Sequence, residues 1–188
     1  MSLEQARAIE HKKYELAYQS AIYAMGSGRM TDALGDLVSL PCRGSYLDVS
    51  CGRGEMLAHA ERMGFGPVQG TEIVPGLIDG RRVIRAEVHA LPFADRSFDV
   101  VTMFDVIEHL IPGDDEMACR ELERVARKHI VLSANNLPSR GLGGVELHIN
   151  RRHYDEWDAL FRSWFSGEVT WVSKGRKHFS ETWRVDLS

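Results

Sequence analysis

Residues 46–55 read Tyr-Leu-Asp-Val-Ser-Cys-Gly-Arg-Gly-Glu, and this stretch decides the fold. Tyr46 to Val49 has the composition of a short buried strand that ends beside a carboxylate, Asp48. Ser50, Gly52 and Gly54 then make a tight turn, and a helix is expected from Glu55. Glycine has no Cβ and tolerates positive φ, so such a turn brings backbone close to a ligand. The free N–H groups of the helix start favour a polar or anionic group there. Further on, Gly70-Thr71-Glu72-Ile73-Val74 is an apolar run with Glu72 at its strand end, about 20 residues beyond the glycines. In an open α/β sheet this spacing sets an acid beside the first loop, where it accepts both hydroxyls of a ribose. On these residues alone a nicotinamide-dependent oxidoreductase fits as well.

The loop is not a full G-x-G-x-x-G, because the acid precedes the glycines. As D-V-S-C-G-R-G-E it resembles motif I of the class I S-adenosylmethionine-dependent methyltransferases. Glu87-Val88-His89-Ala90-Leu91-Pro92-Phe93-Ala94-Asp95-Arg96-Ser97-Phe98-Asp99-Val100-Val101 resembles the family stretch D-a-x-x-L-P-F-x-D-x-S-F-D-x-V. Asp105-Val106-Ile107-Glu108-His109-Leu110 resembles the segment after the family's fourth strand. The matched segments run from about residue 45 to 135 in the family's order. One departure is Ser50, which stands where the family usually has its first glycine.

The resemblance implies roles for particular residues. Asp48 orients the loop and the methionine amino group, and Ser50, Gly52 and Gly54 let backbone meet the methionine portion. Glu72, with Ile73, holds the ribose hydroxyls. Glu87 accepts from the adenine amino group while Val88 offers backbone to the ring, and Phe104 joins the cofactor-binding set. The first helix, with His11, Tyr14, Tyr18 and Tyr23, resembles a segment that lids the cofactor in small methyltransferases, and Arg29 is a candidate partner for the methionine carboxylate. The implied cofactor is S-adenosyl-L-methionine.

Asp105, Glu108 and His109 form a D-x-x-E-H cluster after the strand Phe98–Phe104, and His148 follows downstream. If a helical turn starts at Asp105, residues three and four apart share a face. Carboxylates and imidazoles suit a divalent cation. The cluster plus a later His resembles the metal site of the small-RNA 3′-end 2′-O-methyltransferases, and a similar E-x-x-E-H occurs in the ubiquinone-pathway O-methyltransferases. Asp105 replaces the first Glu and is one methylene shorter. Three readings stay open: Asp105, Glu108, His109 and His148 as metal ligands; His109 or His148 as a general base, with Asp105 assisting; or a structural hydrogen bond beneath the cofactor loop.

A chain of 188 residues that is 44% hydrophobic fits one domain with a sizeable core. No run approaches a membrane span or a signal peptide, and Cys42, Cys51 and Cys119 are too scattered for a disulfide framework. A cytoplasmic setting is the expectation. With 23 basic and 27 acidic residues, the net charge of −4 disfavours general nucleic-acid binding. Arg151-Arg152 and Lys174-Gly175-Arg176-Lys177-His178 still offer local basic surface.

Apolar periodicity predicts helices over Leu3–Ala24, Thr31–Leu40, Glu55–Met63, Asp114–Arg127 and Tyr154–Phe165. Gly26-Ser27-Gly28 is expected to end the first. Strands are expected over Ser45–Val49, Val68–Val74, Arg82–Ala86, Phe98–Phe104 and Lys128–Ala134, with a closing hairpin of Val169–Val172 and Thr182–Leu187. This is an α/β, Rossmann-like, doubly wound and mostly parallel sheet with a C-terminal antiparallel hairpin and N-terminal helices. The expected layout is one domain: a helical cap over 1–40, a cofactor core over 45–135, and a substrate loop, helix and hairpin over 136–188. The loop Asn135–Asn150, with Gly141, Gly143 and Gly144, is expected to close over substrate. The expected activity is O-methylation of a small or sugar-bearing acceptor. The alternatives are RNA- or nucleotide-directed 2′-O-methylation and non-catalytic cofactor binding.

Overall fold

The computed structural model describes the 188 residues apart from 20–26, 142–143 and 175–179, and apart from the side chains of 27–30. Helices α1 (Leu3–Tyr18) and α2 (Ser27–Val38) come first. Strand β1 (Tyr46–Val49) leads into α3 (Glu55–Arg62), and β2 (Val68–Glu72), β3 (Val83–Arg85) and β4 (Phe98–Met103) follow. The chain then forms α4 (Asp114–Val125), β5 (Ala126–Ala134), α5 (Tyr154–Trp164), β6 (Glu168–Trp171) and β7 (Glu181–Asp186). The strands make one sheet in the order β3-β2-β1-β4-β5-β7-β6. β1 to β5 run parallel, and β7 enters antiparallel between β5 and β6.

The central strands are apolar on both sides because each face is covered by helices. Side chains alternate across a strand. Leu47, Val101, Met103, Ile130 and Leu132 therefore turn to one core, where Leu122 of α4 and Trp157 and Phe161 of α5 meet them. Tyr46, Val100 and Val131 turn to the other, against Leu37 of α2 and Met56, Leu57 and Ala60 of α3. A one-residue slip in any central strand would exchange the two sets.

The structure differs from the sequence expectation in three places. α1 ends at Tyr18, and the remainder of the expected Leu3–Ala24 helix, including Tyr23, runs into residues outside those described. Ser27 and Gly28, read as terminators, begin α2 instead. The short turn or helix expected from Pro75 is a 3₁₀ turn (Pro75–Leu77), and β4 follows β3 with no helix between them, so the expected five βα alternations are incomplete on that side. α1 starts where Ser2 and Gln5 form a reciprocal capping box, which satisfies orphan donors of the first turn.

Asp99 joins the start of β1 to the start of β4. Its carboxylate accepts from the Ser45 N–H (3.0 Å) and hydroxyl (3.1 Å), from Arg127 (3.0 Å) and from Lys128 (3.0 Å). Burial alone would push this carboxyl up. The Lys128, Ser45 and Arg127 donors outweigh that and hold it at about 2. A depressed carboxyl stabilises the fold above the unfolded-state value and loses that effect as pH falls through the folded one. Asp99→Asn is therefore expected to lower unfolding free energy by about 2 kcal/mol at pH 7, with the deficit shrinking between about pH 4 and pH 2. Urea unfolding across that range measures it, and a pH-independent deficit would contradict the assignment.

Candidate active site

The turn after β1 takes its shape from three left-handed residues: Ser50 (φ 57°), Gly52 (φ 57°) and Gly54 (φ 75°). At Gly52 a Cβ would also lie 2.6 Å from the Tyr18 hydroxyl, so both backbone and space require glycine. Ser50 adopts the conformation that glycine takes freely, at a cost of about 1 kcal/mol for a residue with a Cβ. α3 has no side-chain cap at its N-terminus, where Gly54 stands.

Glu72 locks this turn to the end of β2. Its Oε2 accepts the Gly52 N–H (2.9 Å), and its Oε1 accepts those of Ile73 (2.8 Å) and Val74 (3.2 Å). Burial raises the Glu72 carboxyl above its ordinary value, against those three backbone donors. Asp48 is 3% exposed, and its Oδ1 accepts from the Thr102 hydroxyl at 2.6 Å. Burial, with Glu72 and Glu55 nearby, lifts its carboxyl to about 7.

A cleft of about 660 Å³ opens at the carboxyl ends of β1, β2 and β4. The sequence-predicted residues Ser50, Gly52, Glu72, Ile73, Glu87, Val88, Phe104, Asp105, Glu108, His109 and His148 all line it. Asp48 and Gly54 do not, and Arg29 belongs to the first turn of α2 with its side chain outside the described residues. α1 roofs the cleft with His11, Tyr14 and Tyr18, one helical stripe at three- and four-residue spacing. His11 Nε2 is 3.2 Å from Glu87 Oε2, and this contact holds the Glu87 carboxyl below its ordinary value. Tyr14 bonds His109, and Arg7 grips both oxygens of Asp114 at the start of α4. Tyr14 and Tyr18 were legible only as a lid-like stripe; nothing in the sequence indicated which groups they reach.

The far wall holds two histidines and a glutamate. Glu108 and His109 belong to a 3₁₀ turn (Ile107–His109) after β4, and His148 arrives from the loop after β5. Their ligand atoms lie within 4.8 Å of one another, and the two imidazole rings meet edge to face at 4.5 Å. His148 Nδ1 donates to the Leu137 carbonyl at 2.6 Å, which turns Nε2 toward Glu108 Oε1, 4.0 Å away. Burial and the neighbouring His148 depress His109 to about 4, and burial lowers His148 as well. Both rings are therefore neutral at neutral pH and carry a lone pair.

Asp105 falls outside the trio's 4.8 Å spacing but lies beside it: its charge favours protonation of both imidazoles, and its backbone carbonyl bonds His109. It has left-handed backbone (φ 54°) and precedes the 3₁₀ turn, so it shares no helical face with Glu108 and His109. Its Oδ1 accepts from the Ser133 hydroxyl of β5 at 2.9 Å. Of the expected basic surface, Arg152 is engaged: it bonds Asp115 at 2.8 Å and stacks over Trp157. Lys174 lies over the Trp171 ring, and residues 175–179 are outside those described. The loop Asn135–Asn150 is braced by an antiparallel backbone β-bridge between Arg140 and Glu146, with Glu146 Oε1 accepting the N–H groups of Ser139 (3.0 Å) and His148 (3.1 Å). Leu142 and Gly143 fall outside the description.

Residues 47–132 match the model of the methyltransferase-domain family. They are a methyltransferase domain. No curated protein matches the sequence. Solved structures of the same fold include a 1,6-didemethyltoxoflavin-N1-methyltransferase from Burkholderia thailandensis with 1,6-didemethyltoxoflavin and S-adenosylhomocysteine bound. It is 16% identical, with a TM-score of 0.73 over 100% of this chain and 92% of that one. The PH0226 protein of Pyrococcus horikoshii is 18% identical, with a TM-score of 0.71 over 90% and 94%. The methyltransferase domain of bacterial CtHen1-CN is 16% identical, with a TM-score of 0.63 over 85% and 98%. At these identities the likeness is one of fold. Among the described residues no helix is long and apolar enough to cross a membrane.

Two variants examine the cofactor side. Glu72→Ala is expected to weaken S-adenosylhomocysteine binding about tenfold or more, the scale of roughly 1–3 kcal/mol for a charged hydrogen bond. Calorimetry reads this, and unchanged affinity would remove Glu72 from the site. For Asp48, the folded value lies above the unfolded one, so its contribution to stability declines as pH rises from about 4 to about 7. Asp48→Asn keeps the Thr102 acceptor and should make the ligand-free protein more stable at pH 8 by about 2–4 kcal/mol, with no gain near pH 4. Denaturant melts at the two pH values decide it.

Proposed function

We propose that this methyltransferase methylates a hydroxyl oxygen of a small acceptor, with Glu108, His109 and His148 handling that hydroxyl. The observation that carries this reading is the convergence of those three ligand atoms, within 4.8 Å, on the wall of the cleft that also contains the glycine turn and Glu72. S-adenosylmethionine fits that cleft: Gly52 leaves room beneath Tyr18 where a Cβ would not, and Glu72 and Glu87 line the span between the turn and β3. When bound, it supplies an electrophilic methyl group. Gly52 then presents backbone to its amino-acid end, Glu72 accepts from its ribose, and Glu87 with Val88 meets its base.

The acceptor hydroxyl must lose a proton as its oxygen gains the methyl. His148 is built to take that proton, since Nδ1 is committed to Leu137 and Nε2 faces the cleft. Glu108 lies across from Nε2 and stabilises the imidazolium that results. The same donor set, one carboxylate and two neutral imidazoles, suits a borderline divalent cation. His148 has its Nδ1 on the Leu137 carbonyl, as metal-binding histidines commonly do, while His109 Nδ1 meets both the Leu147 carbonyl and the Tyr14 hydroxyl. Such a cation would add Lewis acidity toward the hydroxyl.

Wall charge supports a small, non-phosphorylated acceptor over an RNA end. Glu10, Glu55, Glu87, Asp105 and Glu108 line the cleft, whereas Arg7 is bound to Asp114 and Arg53 lies over the Tyr18 ring.

The test is S-adenosylhomocysteine formation over a panel of hydroxylated acceptors and RNA 3′ ends, with Mg²⁺, Mn²⁺, Zn²⁺ or a chelator. Combined His109→Ala and His148→Ala should lower turnover by about 10² or more, the scale of general acid–base catalysis, and leave S-adenosylhomocysteine affinity unchanged. Retained turnover in the double variant would remove both from the chemistry. Turnover that survives chelation would restrict the trio to proton transfer, and turnover confined to RNA would overturn the small-acceptor reading.

A further inference from the structure

Glu108 and His109 are carried by the turn after β4, whereas His148 is carried by the loop after β5, and a site shared between them has to fix one against the other. Glu146 and Leu137 shape the His148 loop from within. Outside the site, one side chain ties that loop to the turn. Asn150 is 5% exposed, and its N–H donates to the Glu108 carbonyl at 2.9 Å. Its Nδ2 donates to Asp115 Oδ2 at 2.9 Å and reaches the Ile107 carbonyl at 3.5 Å. Its Oδ1 accepts from Arg152 Nε at 3.1 Å, while Arg152 also donates to Asp115 Oδ2 at 2.8 Å. Asp115, 1% exposed, is fixed in turn by the N–H groups of Gly113 (2.8 Å) and Glu116 (3.0 Å) at the start of α4.

The amide of Asn150 thus uses both ends. Aspartate at 150 would present a carboxylate to Asp115, and alanine would leave Asp115, Arg152 and the Ile107 carbonyl without it. Buried polar groups left without partners destabilise the arrangement they hold.

We infer that Asn150, with Asp115 as its anchor, is a positioning residue that sets His148 against Glu108 and His109. It touches none of the reacting atoms and acts through the spacing of the trio. This inference rests on the preceding reading of the trio as the acceptor-handling group. The staple itself is a separate claim, and its test separates the two.

Mn²⁺ alone is titrated into the protein by calorimetry, with S-adenosylhomocysteine titrated separately as a check on the cofactor half. Asn150→Asp is expected to weaken Mn²⁺ binding about tenfold or more, as outer-shell changes at metal sites do, with S-adenosylhomocysteine affinity unchanged. Adding Asp115→Asn reverses donor and acceptor across the 150–115 contact, leaves Arg152 to pair with the carboxylate at position 150, and is expected to restore Mn²⁺ binding. Bulk structural damage would not be repaired by a second substitution of that kind. Wild-type Mn²⁺ affinity in Asn150→Asp, or no recovery in the double variant, overturns the inference. If wild-type protein takes up no Mn²⁺, the metal part of the preceding reading fails. The staple is then judged by hydrogen exchange at the His148 and Asn150 amides, which should quicken in Asn150→Asp and slow again in the double variant. Unchanged exchange overturns it. Should Asn150→Asp not fold, Asn150→Ala takes its place in both measurements without the double variant, and wild-type Mn²⁺ affinity or unchanged exchange then overturns the inference.

Discussion

The bond from the Gly52 N–H to the Glu72 carboxylate is the constraint on which the rest of the site depends. It closes the left-handed turn after β1 against the end of β2, and it is possible only because Gly52 accepts φ 57° and leaves room for Tyr18. Once that corner is set, β1 and β4 run side by side from it, and the β4 end delivers Phe104, Asp105, Glu108 and His109 to the same mouth. A parallel sheet places its ligand-facing loops at the carboxyl ends of its strands. The remaining contribution, His148, comes from the next strand along.

Much of this was legible in the sequence, and the reasons are local. A glycine-bearing turn bounded by a buried strand and a helix start has few solutions, so Asp48, Gly52, Gly54 and Glu72 could be placed by spacing. The apolar blocks of β4 and β5 and the aromatic face of α5 follow from helices packed on both faces of the sheet. What spacing could not supply was orientation. Asp105 sits one residue into a backbone kink, and a left-handed φ is invisible in a D-x-x-E-H string. Asp48, expected at the ligand, is turned to Thr102. The contacts of His11, Tyr14 and Asn150 span dozens of residues in sequence, and local pattern carries no information about them.

The sheet also mixes two kinds of carboxylate. Asp99 is depressed by a ring of donors and stabilises the ionised form, while Asp48 is raised by burial and favours the neutral one. Both lie on central strands, yet one staples β1 to β4 and the other stands beside a cofactor turn. Perturbation of this second sort is common where function, more than stability, shapes the environment.

The placement of β7 has a consequence for biosynthesis. β6 is hydrogen-bonded to β7 alone among the described strands, and β7 in turn covers the outer edge of β5. As the polypeptide emerges from the ribosome, residues 46–134 can assemble five parallel strands before residues 181–186 exist. Throughout that interval the flank of β5 is an open edge able to recruit a foreign strand. The sheet thus receives β7 between two strands that precede it in sequence, β5 and β6.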